Sequence, residues 1–389
     1  MFTEQSLAQI SRLLLFFSQK VPHYKINLCS WQDFQKVPLS NKAIIQKFLA
    51  QHHLHKPFNI TATSGSTATR MLIAHSYEAY QAHLDRLVQL YRSVGVKKGM
   101  VILNLCSYEL NSGGRLMEKA FNALGAGVIP LGPITSREKV KEAKDLIHKI
   151  RPQWINAYTN QLYDLFSLLG QDHSIRYCLV NGEPLWPTYK ERIEKMGGVY
   201  LHNHYGAMEI SGLAVAIQPS DEYMKVFYDG LLLEILQETG EVSVTGKGSL
   251  LITDLHNYCM PVIRYAVGDQ VELISRNNCL WIKVLGRNED SILINGSVIW
   301  KKNLIRAVHD YVEHPNFFFI VNKNAVTYSQ QLIINVKPPF IKDIQGLSLT
   351  LEKKLGLKGK VTMRQHMGRL PRTSSGKIKY FLSSVDKVN

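Results

Sequence analysis

Residues 101–131, VILNLCSYELNSGGRLMEKAFNALGAGVIPL, decide the fold class. The apolar run 101–105 is typical of a buried strand, residues 115–124 predict a helix, and residues 125–131 predict the next strand. The pair of glycines before the helix indicates a turn. A strand, a helix and a second strand in this order favour a parallel sheet covered by helices.

The same alternation extends along the chain in both directions. Residues 75–93 predict an amphipathic helix, and residues 175–180 predict another strand that ends in the turn Asn-Gly-Glu-Pro. After residue 212 the runs become short and β-type, as in 231–236 and 248–253, with a Glu-Thr-Gly-Glu turn between them. We therefore expect parallel strands first and antiparallel strands after them.

A second change of pattern, near residue 286, predicts two domains. Residues 287–389 follow the order strand, helix, two strands, helix, strand and polar loop. We expect an α/β chain with a large N-terminal domain of helix-flanked β-sheets, residues 1–286, and a small α+β domain, residues 287–389. A chain of 389 residues with 45% hydrophobic content is long enough for both.

The charge balance favours anionic partners. The formal net charge is +15, which suits phosphate-rich or acidic molecules, and nucleic acid is one of them. However, lysine and arginine are spread along the chain, and the usual nucleic-acid-binding motifs are missing from the sequence. We expect no nucleic-acid partner, and a solubilising surface is an equally simple explanation of the charge.

Cysteines and apolar runs indicate a cytoplasmic protein. The five cysteines are scattered without a C-x-x-C spacing, which argues against a zinc site or a disulfide framework. The apolar run at residues 12–17 is too short for a signal peptide or a membrane span, so we expect no membrane partner.

The first of five polar stretches is residues 61–68, Thr-Ala-Thr-Ser-Gly-Ser-Thr-Ala. Its hydroxyl groups and backbone N–H groups could surround an anion. The stretch lacks the Walker pattern of phosphate-binding loops. Taken alone, a loop rich in serine and threonine is more often only a surface connection.

The second stretch, residues 202–210, places Tyr205, Gly206 and Glu209 close together. The carboxylate could hold Mg²⁺ against phosphate oxygens, and the tyrosine ring could stack on a base. The alternative is a turn with an exposed acid. We assign no metal to the neighbouring histidines, His202 and His204.

The remaining three stretches lie further along the chain. Asp269 follows a glycine at the end of a predicted strand, where a carboxylate suits a ribose diol, although Gly-Asp is often only a turn. Arg287 begins a charged segment at the predicted domain boundary, which could be a plain linker. Lys377 ends the loop Thr-Ser-Ser-Gly-Lys and could neutralise developing negative charge, although a frayed basic tail has the same composition.

The order and spacing of these five stretches resemble the AMP-forming acyl-adenylate synthetase superfamily. Within that superfamily the chain is most similar to the phenylacetate–CoA ligase branch, on the strength of residues 37–42, 113–114 with 125–130, and 182–185. The likeness extends from about residue 30 to residue 382. It implies an acid–thiol ligase that uses ATP and Mg²⁺ to adenylate a small carboxylic acid, aryl or short and functionalised. The acyl acceptor would be CoA or the phosphopantetheine of an acidic acyl carrier protein.

The resemblance also implies roles for particular residues. Lys377 and Glu209 would be catalytic, Glu209 as the Mg²⁺ ligand, and the C-terminal domain would be a mobile lid that turns about Glu289. An acyl pocket would be lined by Tyr108, Asn181, Asn203, His204 and Ala207. ATP and AMP would contact Ser64, Gly65, Ser66, Thr67, Gly182, Glu183, Pro184, Tyr205, Gly206, Asp269 and Arg287.

Some positions depart from the family pattern. The phosphate loop continues with Ala68, Arg70 and Met71 where glycine, proline and lysine are usual, and Arg70 would supply the charge. The usual Tyr-Arg-Thr-Gly-Asp is Tyr-Ala-Val-Gly-Asp at residues 265–269, and the hinge is glutamate rather than aspartate. These changes leave open a catalytically impaired nucleotide-binding homologue with a regulatory role. The chain retains the charged residues Glu209, Asp269, Arg287 and Lys377, which argues against this impaired homologue.

Overall fold

Polar residues begin the helices of the N-terminal part. Thr3, Ser30, Asn41, Ser76 and Ser136 each accept a hydrogen bond from a backbone N–H group in the first turn, which satisfies a donor that the helix leaves open. The computed structural model describes residues 3–62, 71–110, 113–287, 291–294, 297–309, 311, 317–323, 330–336, 344–355, 361–366, 370–371 and 380–383.

The helices run in chain order from α1 to α10. They are α1 Glu4–Ser18, α2 Trp31–Gln35, α3 Lys42–Gln51, α4 Tyr77–Ser93, α5 Gly114–Ala123, α6 Arg137–Ile150, α7 Thr159–Leu169, α8 Pro187–Gly197, α9 Lys301–His309 and α10 Ile344–Leu355. Among these residues, no helix is long and apolar enough to cross a membrane.

The strands are numbered in the same way. They are β1 Asn59–Ala62, β2 Leu72–His75, β3 Val101–Asn104, β4 Gly127–Ile129, β5 Trp154–Ala157, β6 Tyr177–Asn181, β7 Tyr200–Ala207, β8 Ile210–Val215, β9 Met224–Val226, β10 Leu231–Leu236, β11 Val242–Ser243, β12 Gly246–Asp254, β13 Tyr265–Arg276, β14 Cys279–Arg287, β15 Ser291–Ile294, β16 Ser297–Trp300, β17 Phe317–Lys323, β18 Gln330–Val336, β19 Val361–Gln365 and β20 Phe381–Ser383.

One sheet dominates the N-terminal part. Its strands follow the order β11-β10-β12-β13-β14-β9-β8-β7-β6-β5-β3-β4. The pairs among β3, β4, β5, β6 and β7 are parallel, as the sequence predicts, and the pairs from β7 to β11 are antiparallel. The antiparallel pairing of β7 and β8 joins both halves into one sheet.

Helices cover both faces of the parallel half. On one face α6, α7 and α8 pack on the sheet around Ile147, Phe166 and Ile193. On the other face α4 and α5 contribute Tyr91 and Phe121. The carboxyl ends of β5, β6 and β7 therefore lie between two helical layers, where ligand sites of open α/β sheets are found.

The C-terminal part has a sheet of its own. Its strand order is β19-β18-β17-β20, and α9 and α10 pack with it around Phe317, Leu332 and Leu347. This α+β composition confirms the predicted class, with β16 and β20 as additional strands. Arg192 Nη2 on α8 donates a hydrogen bond to the His309 carbonyl oxygen at 2.9 Å, and the Tyr189 ring stacks on the His309 ring.

Candidate functional site

The site begins where β6 and β7 leave the sheet side by side. Asn181 and His204 are partners in the parallel register of these strands, so the turn 182–184 and Tyr205 follow at the same edge. Gly182 has φ of +71°, a conformation that residues with a side chain rarely adopt. The structure therefore brings the predicted nucleotide-binding turn next to the predicted tyrosine.

Asp269 accepts hydrogen bonds from two of the predicted residues. The Tyr205 hydroxyl donates to Asp269 Oδ2 at 2.6 Å, and Arg287 Nε donates to Oδ1 at 3.1 Å. Asp269 and Arg287 are register partners on β13 and β14, which explains their approach. Burial, followed by the charge of Asp269, holds the pKa of Tyr205 well above its ordinary value. A carboxylate has about four acceptor positions, so Asp269 can still accept the hydroxyls of a ribose.

Glu209 occupies the turn between β7 and β8, yet its side chain is buried. The Tyr265 hydroxyl donates to Glu209 Oε1 at 2.9 Å, and His75 Nε2 donates to the Glu209 carbonyl oxygen at 3.3 Å. Burial raises the pKa of the Glu209 carboxyl. A nearby cation would favour the ionised form of this group.

The donor set around Glu209 suits Mg²⁺ in part. Among the described residues, no group of three or more histidine, cysteine, aspartate or glutamate side chains could hold a metal by itself. Magnesium is commonly bound through one or two carboxylates together with phosphate oxygens of a substrate. A single buried carboxylate beside a nucleotide site therefore fits a magnesium ion that the nucleotide helps to hold.

His75 packs against a buried cluster formed by His83, Asp254 and Arg86. The His75 and His83 rings meet edge to face at 4.6 Å, and His83 Nε2 donates to Asp254 Oδ2 at 3.1 Å. Burial lowers the pKa of His83 to about 3, so that ring is neutral. Burial opposes ionisation of Asp254, but the His83 hydrogen bond and the charge of buried Arg86 bring its pKa down to about 2. The cluster fixes β2 against the hairpin that carries Glu209.

An N-terminal segment positions the start of β13. Ser40 N donates to the Arg264 carbonyl oxygen, and Ala266 N donates to that of Ser40. The buried Arg264 guanidinium donates to Glu234 Oε2 at 3.1 Å and to the carbonyl oxygens of Gln35 and Val37. This segment therefore fixes the strand that carries both Tyr265 and Asp269.

The predicted acyl-pocket residues do not all lie on the same face of the large sheet. Asn181 and His204 share the face covered by α4 and α5, and Tyr108 OH accepts a hydrogen bond from Asn104 Nδ2 there at 2.7 Å. Asn203 alternates with His204 and lies on the opposite face. Ala207 closes the hairpin opposite Ile210.

Several predicted residues lie outside the described part of the chain. They are Ser64, Gly65, Ser66, Thr67, Glu289 and Lys377. The flanks of the phosphate-loop sequence are described, and β1 and β2 pair antiparallel with Ala62 opposite Leu72. The loop sequence thus connects two strands of a hairpin.

Sequence reasoning missed the residues that hold the acids in place. For Tyr265 the available signal is its place at the start of Tyr-Ala-Val-Gly-Asp, residues 265–269, four residues before Asp269. For His75 and Arg264 no local signal existed, because their partners lie 134 and 30 residues away.

Comparisons with known proteins agree with this geometry. The sequence model of the AMP-binding enzyme family matches residues 18–254. The phenylacetate–coenzyme A ligase of Thermus thermophilus is 23% identical over 435 residues, which covers 96% of this chain and 94% of the relative. The Escherichia coli enzyme of the same name is 24% identical, and the match covers 76% of this chain and 69% of the relative. A solved 2-hydroxyisobutyryl-CoA ligase in its postadenylation state has a TM-score of 0.80 at 15% identity, over 98% of this chain and 89% of that chain.

Proposed function

We propose, for a chain that belongs to the family of AMP-binding enzymes, that it activates a carboxylic acid as an acyl-adenylate and transfers the acyl group to the thiol of CoA. The observation that carries this proposal is the pair of tethered acids, Asp269 with Tyr205 and Arg287, and Glu209 with Tyr265, at one end of the sheet. The names of the relatives, phenylacetate–coenzyme A ligases, support the same reaction.

Two half-reactions follow from this chemistry. A carboxylate oxygen of the acid attacks the α-phosphorus of ATP, and the bond to pyrophosphate breaks. A thiolate then attacks the acyl carbon, and AMP leaves with the electrons of the carbon–oxygen bond. Both steps concentrate negative charge, so fixed donors that point at phosphate and carbonyl oxygens contribute most.

Each residue has one task in this scheme. Asp269 accepts the ribose hydroxyls, Arg287 donates toward the ribose and phosphate, and Glu209 holds the metal. Bound Mg²⁺ would offset phosphate charge. Lys377 approaches the α-phosphate during adenylation only, and the C-terminal domain turns about Glu289 between the two steps.

The deciding experiment is ATP–pyrophosphate exchange across a panel of aryl and short functionalised acids. Acid-dependent exchange is the expected result. The rival function, a nucleotide-binding homologue without turnover, predicts ATP binding by calorimetry and no exchange with any acid. The same assay therefore tests catalysis and narrows the substrate.

Asp269→Ala should weaken ATP binding by about tenfold or more. Hydrogen bonds to a charged group contribute about 1.5–3 kcal/mol each, and this variant removes those to the ribose. Calorimetry with ATP measures the effect. Tyr205→Phe is the matched control, because it deletes the hydroxyl that donates to Asp269 and leaves the carboxylate. An unchanged affinity in Asp269→Ala would show that the ribose assignment is wrong.

The acceptor prediction is that CoA is used in preference to a carrier protein. The net charge of +15 also suits an acidic carrier, which would engage dispersed lysines such as exposed Lys353 on α10. Transfer from pre-formed acyl-adenylate should be faster to CoA than to phosphopantetheinylated carriers, and it should be insensitive to Lys353→Glu. Faster transfer to a carrier, with a steep fall as salt shortens the screening length to about 8 Å, would reverse the assignment.

A further inference from the structure

A row of buried amides crosses the sheet beneath α4 and α5. Asn104 and Asn156 are register partners on β3 and β5, and Asn181 follows on β6. The exposed fraction of these residues is 0%, 0% and 7%. His204 continues the row on β7 as the register partner of Asn181. Four adjacent parallel strands thus carry polar side chains on the face that also holds the apolar cluster of Ile102, Trp154 and Leu179.

The hydrogen bonds along this row all point the same way. Asn181 Nδ2 donates to Asn156 Oδ1 at 2.9 Å, and Asn156 Nδ2 donates to Asn104 Oδ1 at 3.0 Å. Asn104 Nδ2 donates to Tyr108 OH, which bonds the Glu118 side chain. The chain of donors runs away from Asn181, so the oxygen of Asn181 is its accepting end. The Cys106 thiol, a weak donor, lies 3.6 Å from that oxygen.

Two buried polar residues next to Asn181 and to each other, His204 and Tyr91, have side chains that lack hydrogen-bond partners within the described part of the chain. Among the described residues, both ring nitrogens of His204 and the hydroxyl of Tyr91 have no hydrogen-bond partner, and their residues are 3% and 0% exposed. Their rings are 5.9 Å apart, and Cys106 lies close enough to act on the Tyr91 hydroxyl as well as on Asn181. Burial lowers the pKa of His204 to about 4, so the ring is neutral and offers one donor and one acceptor.

Buried polar groups are stable only when they are hydrogen-bonded. An apolar acyl group against this cluster would leave His204 and Tyr91 unsatisfied and the Asn181 oxygen with only a weak thiol donor. A hydroxyl group can donate to one acceptor and accept from one donor at the same time, which matches the mixture present.

We infer that the acid carries a hydroxyl group in addition to its carboxylate, recognised by Asn181, His204 and Tyr91. This inference rests on the proposed function and names the substrate class of the same site. Sites built to bond a hydroxyl reject the analogue that lacks it far more strongly than apolar pockets reject an added group.

The experiment compares acids in matched pairs. Phenylacetate is tested against its 2-, 3- and 4-hydroxy derivatives, and benzoate against the corresponding hydroxybenzoates. The kcat/KM of pyrophosphate exchange should favour one hydroxylated acid about tenfold or more over its parent. Tyr91→Phe and His204→Leu should each reduce that ratio severalfold, because the parent acid loses less than the hydroxylated one.

Tyr189→Phe is the matched control. It also removes a buried tyrosine hydroxyl, but from α8 on the opposite face, and it should keep the wild-type ratio. Equal kcat/KM within every pair would overturn the inference, as would a ratio that Tyr91→Phe and His204→Leu leave unchanged.

Calorimetric binding of the same acids separates this inference from the proposed function. A hydroxylated acid that binds tighter than its parent without supporting exchange sustains the inference and refutes the catalytic function. If exchange occurs, but neither exchange nor binding differs between acids with and without the hydroxyl, the catalytic function is sustained and this inference is refuted.

Discussion

Replacing Lys377 with alanine should lower ATP–pyrophosphate exchange at least about 10²-fold. A single donor aimed at developing charge is worth roughly 10² to 10³ in rate, and the Lys377 ammonium is the one cationic donor in the sequence motif Thr-Ser-Ser-Gly-Lys. Transfer from pre-formed acyl-adenylate to CoA should survive much better, because the proposed two-position scheme assigns Lys377 to adenylation alone. Exchange and single-turnover transfer are measured on the same preparation.

Lys353→Ala is the matched control for this variant. It removes one lysine from the same C-terminal part, from an exposed position on α10, and should leave both half-reactions unchanged. An equal loss of exchange and transfer in Lys377→Ala would contradict the two-position lid. It would indicate instead that the lysine serves both steps from one place.

Strands and helices of the parallel half were predictable because their signals are local. The predicted strand at residues 101–105 and the predicted helix at residues 115–124 appear as β3 and α5, with ends within one residue of the prediction. Continuity of the sheet was not predictable, since β14 pairs with β9 more than 50 residues earlier in the chain. Such pairing depends on the packing of the whole face, which no short window contains.

The candidate site likewise contains residues with a local sequence signal and residues whose partners only the fold reveals. Asp269 and Arg287 stood out as charged residues directly after glycines, and Glu209 as an acid three residues after Gly206. Asp269 and Arg287 form an ion pair. The tyrosines that hold the acids, Tyr205 by its hydroxyl and Tyr265, act across 64 and 56 residues. A tyrosine in a strand is ordinarily a core residue, so only the fold reveals that its hydroxyl ends on a carboxylate.

Glu234→Ala should lower the free energy of unfolding by about 3–5 kcal/mol, because it leaves the buried Arg264 guanidinium without its carboxylate. Burial raises the pKa of Glu234 against the opposing charge of Arg264, which shows how strongly this position is desolvated. Arg264 has φ of +46° and holds the carbonyl oxygens of Gln35 and Val37. Loss of its partner therefore loosens the segment that sets the start of β13.

The surface pair of Lys139 and Glu142 provides the matched control for Glu234→Ala. Its atoms are 2.8 Å apart, but its side chains are 41% and 49% exposed, so Glu142→Ala should change stability by less than about 1 kcal/mol. Urea unfolding followed by tryptophan fluorescence measures both variants. Because Arg264 directly precedes Tyr265, Glu234→Ala should also weaken ATP binding. A stability loss as small as that of Glu142→Ala would mean that water reaches Arg264 and that the ion pair does not anchor the site.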